Sequence, residues 1–143
     1  MKRTLMALCA SLAFATAAAA QDKPDLVTVL TADEPQTQLM TMVLTMQAVK
    51  QGSEAHVLLC GPAGDLALKA APASATAPQK PKGMSPQGLM KKVIAAGATV
   101  EVCAIYLPNK GVGPDALIEN VTAAKPPAMA ARLLAPNARI MSF

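Results

Sequence analysis

In residues 54–60, EAHVLLC, a continuous apolar run follows Glu54 and is broken only by His56. A strand that is apolar on both sides must be covered on both faces, as strands are inside a parallel sheet. The flanking segments agree with that reading. Upstream, DLVTVLTAD is a β-branched run that stops at Asp33, and EPQTQLMTMVLTMQAVKQG reads as a helix. Pro35 suits a first helical position, Asp33 is placed to cap it, and Gly52 stops it. Downstream, SPQGLMKKVIAAGA has Ser85 as N-cap, Pro86 in the first turn and Gly97 at its end. TVEVCAIYL is then the third strand, followed by a short helical turn from Pro114 to Ile118. NVTAA is a brief fourth strand, PPAMAARLLA a last helix opened by prolines, and ARIMSF a terminal strand. Strands alternating with helices predict an α/β fold: three α/β/α layers around a mostly parallel sheet of about five strands, flavodoxin-like in style.

One segment departs from this alternation. Residues 69–83, KAAPASATAPQKPKG, are rich in Ala, Pro, Lys and Ser without periodicity, and are expected to be an exposed, flexible insertion. Such an insertion is an inert excursion or a lid, and composition favours the first.

The first 20 residues, MKRTLMALCASLAFATAAAA, have a basic start, an apolar stretch too short to cross a bilayer, and a small-residue end at Ala18 and Ala20. They are expected to be a cleavable signal peptide, giving a periplasmic or secreted protein with no membrane insertion after cleavage. Bulky Leu8 before Cys9 argues against lipid attachment there. Cleavage leaves residues 21–143 as a single domain. Without Lys2 and Arg3, 11 basic side chains face 9 acidic ones, and they are scattered rather than clustered. That argues against a phosphate-reading surface, the one adjacent basic pair, Lys91-Lys92, reading as a solvated helix face, so nucleic acid is not an expected partner. With no Trp, one Tyr and two Phe, the core must be built from aliphatic side chains and methionine.

Parallel sheets present their chemistry outside the carboxyl ends of the strands. Asp33, Cys60 and Cys103 all fall at such ends. Cys103 precedes LPNKGVG, where turn N–H groups and Lys110 could stabilise a thiolate; against this, free cysteine often serves as a small buried hydrophobe. Once Cys9 is removed, Cys60 and Cys103 form an even pair in an oxidising compartment. If the second and third strands are neighbours a disulfide is feasible. If the first strand lies between them, two strand spacings of about 4.8 Å put the pair out of reach. Strand order is not legible, so a structural bridge, a redox-active pair and two free thiols all stay open. Met40 and Met42 lie roughly 160° apart around a helix, so Met40, Met42 and Met46 read as core packing and not as a thioether metal site. Lone His56 has no second histidine to join it as a metal ligand or in a hydrolase. CGPAGDLALK lacks the ending of a P-loop and the spacing of a dinucleotide fingerprint. No cofactor is expected.

The succession VTVLTADEPQTQLMTMVLTMQAVKQG, HVLLCGPAG, MSPQGLMKKVIAAGATVEVCAIYLPNKG and NARIMSF resembles the DsrE/DsrF-like family of small α/β proteins. The glycine, strand and cysteine pattern from Gly97 to Gly111 carries most of the likeness. The resemblance implies a role in sulfur relay, as a carrier or sulfurtransferase-type protein at most. It implies a persulfide on Cys103, Cys60 as a possible second thiol, a sulfur donor or acceptor protein as partner, and a homo-oligomeric assembly. The alternative expectation is a non-catalytic module on the same fold, binding a small ligand or assembling subunits.

Overall fold

The structure, a computed structural model, describes residues 23–143. The expected signal peptide lies outside them.

Five strands run parallel in one sheet: β1 (Asp25–Leu30), β2 (Ala55–Leu59), β3 (Thr99–Val102), β4 (Val121–Ala123) and β5 (Ala138–Ser142). Their order is β4-β3-β2-β1-β5. Helix α1 (Pro35–Lys50) joins β1 to β2, and a 3-10 turn (Gly61–Ala67), α2 (Ala73–Thr76) and α3 (Pro86–Ala95) join β2 to β3. The short helix α4 (Tyr106–Lys110) follows β3, a 3-10 turn (Pro114–Ala116) precedes β4, and α5 (Pro126–Leu133) joins β4 to β5. The three-layer α/β/α architecture matches expectation.

Strand alternation sorts the core into two sides. Leu30, Val57, Leu59, Val100 and Val102 pack with Met42 of α1 and Met90 and Val93 of α3 in the larger cluster. Val27, Leu58 and Ala124 pack with Met129 of α5 in a smaller one. All five residues of β2 are buried, as its unbroken apolar run requires. Met42 is in the core while Met40 is exposed, in keeping with their separation around α1. The buried face of α1 also carries Thr41 and Thr45, whose hydroxyls donate to the carbonyls of Thr37 and Thr41 at 2.8 Å and so are satisfied inside the helix.

Three local expectations need correction. The cap of α1 is Glu34, not Asp33: its carboxylate accepts from Gln36 N at 2.8 Å and Thr37 N at 2.6 Å, and these backbone hydrogen bonds hold its pKa below the ordinary carboxylate value. The third strand ends at Val102, because the chain turns after Cys103 and Tyr106 N donates to Cys103 O at 2.8 Å. Residues 106–110 are therefore helical rather than strand and loop, and Gly111 closes them in the left-handed conformation at φ 72°. Within the 69–83 insertion, α2 forms one turn that tucks Ala75 into the core at 2% exposure, and Gln79 bridges to Met84. Small side chains that give no periodic signal can still fill a gap beside α3.

On the α5 side His56 is 4% exposed. Its Nε2 lies 2.8 Å from Glu101 Oε2, an ion-pair contact not aligned as a hydrogen bond, and Nδ1 has no hydrogen-bond partner among the described residues. Burial lowers its pKa from the ordinary 6.5, the Arg132 charge adds to this, and Glu101 opposes both. Lys125, Asp25 and Glu54 are the other charged groups lining the hollows beside it. The folded imidazole stays neutral where the unfolded one takes up a proton. The stability it contributes is thus present above pH 6.5 and lost as pH falls below that value toward the folded pKa. Urea midpoints should fall as pH drops from about 7 to 5, and His56→Gln should flatten that slope; an unchanged slope in the variant would assign it to other groups.

Candidate functional site

Register brings the two cysteines together. β2 and β3 are neighbours paired through Leu59↔Val102, so the next residue of each strand, Cys60 and Cys103, stand side by side. Cys60 N donates to Leu30 O at 2.9 Å and Cys103 N to Leu59 O at 2.8 Å, which continues the sheet ladder one residue past each strand. The α-carbons are 5.1 Å apart and the sulfurs are joined as a disulfide. Of the alternatives open at the level of sequence, the bridged pair is the one observed. Both cysteines are half-buried, and both pack against the small cluster beneath α5.

Each chain then bends sharply away. After Cys60 the turn begins at Gly61 with φ 54°, a conformation that favours glycine. Three residues later Gly64 lies directly under the Tyr106 ring, where a side chain would collide with it. That close approach sets Tyr106 flat across the turn, and its hydroxyl donates to Asp65 Oδ1 at 2.6 Å. Lys110 Nζ reaches the same oxygen at 2.7 Å. One carboxylate oxygen therefore holds both groups, tying α4 to the turn after β2. An open hollow of about 670 Å³ lies over the disulfide, with Pro62, Asp65, Tyr106 and Lys110 among its walls.

The electrostatics follow from this arrangement. Burial raises the Asp65 carboxyl, but hydrogen bonds from Lys110 and Tyr106, with the Lys110 charge, outweigh it and hold the pKa below the ordinary value. The pair contributes stability above the ordinary carboxylate range, and loses it only as pH falls through the lowered value. Burial, then the hydrogen bond to Asp65 and its charge, push the Tyr106 phenol far above its ordinary pKa, so it acts as a fixed donor. The site can undergo thiol–disulfide chemistry beside a neutralised ion pair, and its phenol stays protonated.

The expected residues divide unevenly. Cys60, Cys103 and Lys110 meet at the hollow, although Lys110 is engaged by Asp65 rather than free for a thiolate. Asp33 does not join them: it is exposed in the turn before α1. Asp65 and Tyr106 were not singled out from sequence. The one available signal was Gly-x-x-Gly-Asp directly after Cys60, two glycines that free a turn for a close neighbour. A larger hollow of about 740 Å³ opens at the amino end of β3, walled by Lys69, Lys91, Glu119 and α3. Neither cysteine lines it, so for thiol chemistry the cysteine end is the candidate. The strand order reverses between β1 and β5, where an open α/β sheet commonly binds ligands. Here Thr31 N and Oγ1 donate to Phe143 O at 2.8 and 2.7 Å and tie the ends of the two strands together.

Comparison with known proteins decides the fold and nothing finer. No family model matches the chain, and no curated protein matches it in sequence. Among solved structures it is similar to the YchN protein from E. coli, with a TM-score of 0.62 and 18% identity over 84% of this chain and 99% of that one. It is also similar to MTH1491, a protein of unknown function from Methanobacterium thermoautotrophicum, with a TM-score of 0.63 and 11% identity over 85% and 100% of the two chains. Its fold is DsrE-like. At such identities the likeness is one of architecture, and function must be argued from the site.

Proposed function

We propose that this chain is an exported sulfur-handling protein whose Cys103 accepts sulfane sulfur as a persulfide. The observation that supports this most is the placement of Cys60 and Cys103, adjacent, half-exposed and at the carboxyl edge of the sheet beneath an open hollow. With the pair reduced, the Cys103 thiolate attacks the terminal sulfur of a donor persulfide. The donor S–S bond breaks, its thiolate leaves, and Cys103 carries the added sulfur. Cys60 can then attack the inner sulfur of that persulfide, release hydrosulfide and close the disulfide. A sulfur donor or acceptor protein is the partner this chemistry calls for.

The test uses reduced protein and glutathione persulfide. Cys60→Ala should gain the mass of one sulfur and Cys103→Ala should not, while wild type should release hydrosulfide and end as the Cys60–Cys103 disulfide. Full loading of Cys103→Ala would remove Cys103 from the role.

A second reading, subunit assembly, draws on Ile140, which is 57% exposed on the edge strand β5. A homo-oligomer would cover that side chain, and the particle mass in solution measures it.

A further inference from the structure

We infer that the oxidised pair is itself a form that takes up substrate, and that its substrate is the hydrosulfide anion. This rests on the reading of Cys60 and Cys103 as a sulfur site, and it reverses the redox state in which sulfur enters. A sulfane donor requires a free thiolate, which the bridged pair does not offer. The bridged pair offers an electrophilic S–S bond, half-buried on the floor of a hollow that opens to solvent. A compact sulfur nucleophile is the substrate that suits it.

The step balances without an outside oxidant. Hydrosulfide attacks the Cys103 sulfur, and a bond forms between the incoming sulfur and Cys103. The Cys60–Cys103 bond breaks, its electron pair leaves with Cys60 as thiolate, and the incoming sulfur keeps its proton. The products are a Cys103 persulfide and a Cys60 thiolate. The disulfide is reduced by two electrons, and the sulfide sulfur is oxidised to the sulfane level.

Three features of the site favour this entry. Asp65 is the carboxylate on the wall of the hollow, and Lys110 at 2.7 Å and the Tyr106 hydroxyl at 2.6 Å neutralise and cap it, so an approaching anion meets no uncompensated negative charge. The Lys110 ammonium lines the same hollow and offsets the anion's desolvation. The backbone ladder through Leu59↔Val102 and Cys103 N to Leu59 O does not depend on the disulfide. Once the bond breaks, the Cys60 thiolate therefore stays beside the persulfide, and the step needs no rearrangement of the sheet.

The experiment treats oxidised mature wild type (residues 21–143, without Cys9) with sodium sulfide in the absence of oxygen, denatures it directly in excess iodoacetamide so that Cys60 is alkylated before it can close the bridge again, and weighs it. The expected product carries two alkyl groups and one extra sulfur, mapped to the Cys103 peptide. Untreated oxidised protein carries neither. Two alkyl groups without added sulfur would mean that sulfide merely reduces the bridge, and no change would mean that it does not enter; either overturns the inference, as does extra sulfur on Cys60. In parallel, reduced Cys60→Ala is given glutathione persulfide. If that variant loads while oxidised wild type does not, only the sulfide entry fails. If neither loads, the sulfur-site reading fails with it.

Discussion

Reduction of the Cys60–Cys103 disulfide should lower the folding stability by about 4 kcal/mol, the chain-entropy value for a bridge spanning 43 residues. The bridge restrains the unfolded chain, whereas in the folded chain the sheet already holds the two cysteines together. Reduction should therefore leave the far-ultraviolet spectrum nearly unchanged while the urea midpoint moves markedly. For a domain of this size the loss corresponds to a fall in Tm of roughly 10–20 °C. A Cys60→Ala, Cys103→Ala double variant supplies the control, since its midpoint should not respond to reductant. Equal midpoints for oxidised and reduced wild type would show that no bridge forms in solution.

The contrast between what the sequence foretold and what it hid has a physical basis. Strand and helix identities were legible because each depends on local information: β2 is apolar throughout, Ser85 caps α3 by accepting from Gly88 N at 3.1 Å, and Gly52 and Gly97 adopt positive φ just past helix ends. The adjacency of Cys60 and Cys103 was not legible, because it is a property of strand order. Order depends on which way each crossover steps, and no residue in β2 or β3 encodes that alone. Asp65 and Tyr106 were hidden for a related reason. Tyr106 follows a β-branched strand and reads as its continuation, and only the absent side chain of Gly64, 42 positions earlier by sequence number, makes room for the ring. The cap of α1 fell on Glu34 instead of Asp33 because the longer carboxylate can reach two N–H groups of the first turn from one position.

The charge pair beside the cysteines should set the reactivity of the reduced thiol. In reduced Cys60→Ala, iodoacetamide modification of Cys103 should speed up by roughly tenfold near neutral pH in Asp65→Asn, and slow by a similar factor in Lys110→Met. Lys110 and Asp65 line the same hollow as Cys103 and offset one another at 2.7 Å. Removing the carboxylate charge leaves an uncompensated ammonium that favours the thiolate; removing the ammonium leaves an uncompensated carboxylate that disfavours it. Asparagine keeps an oxygen to accept the Tyr106 hydroxyl, so the change is one of charge more than of shape. The full rate-against-pH profile should shift to lower pH in the first variant and to higher pH in the second, and added salt should compress both shifts. Profiles that coincide with the parent would mean that the pair holds α4 in place and has no hand in the sulfur chemistry.

The disulfide also makes a covalent ring out of the chain from Cys60 to Cys103, with α2, α3 and the whole 69–83 insertion threaded along it. A protease that cuts a peptide bond in that stretch, for instance after Lys82, opens the ring without dividing the molecule. The nicked oxidised protein keeps its mass but for one water, and its two fragments separate only when a reductant is added. The surface segment with the least regular sequence is thus placed where backbone damage is least consequential, and the pair that would carry sulfur also serves as the splice that holds a broken chain together.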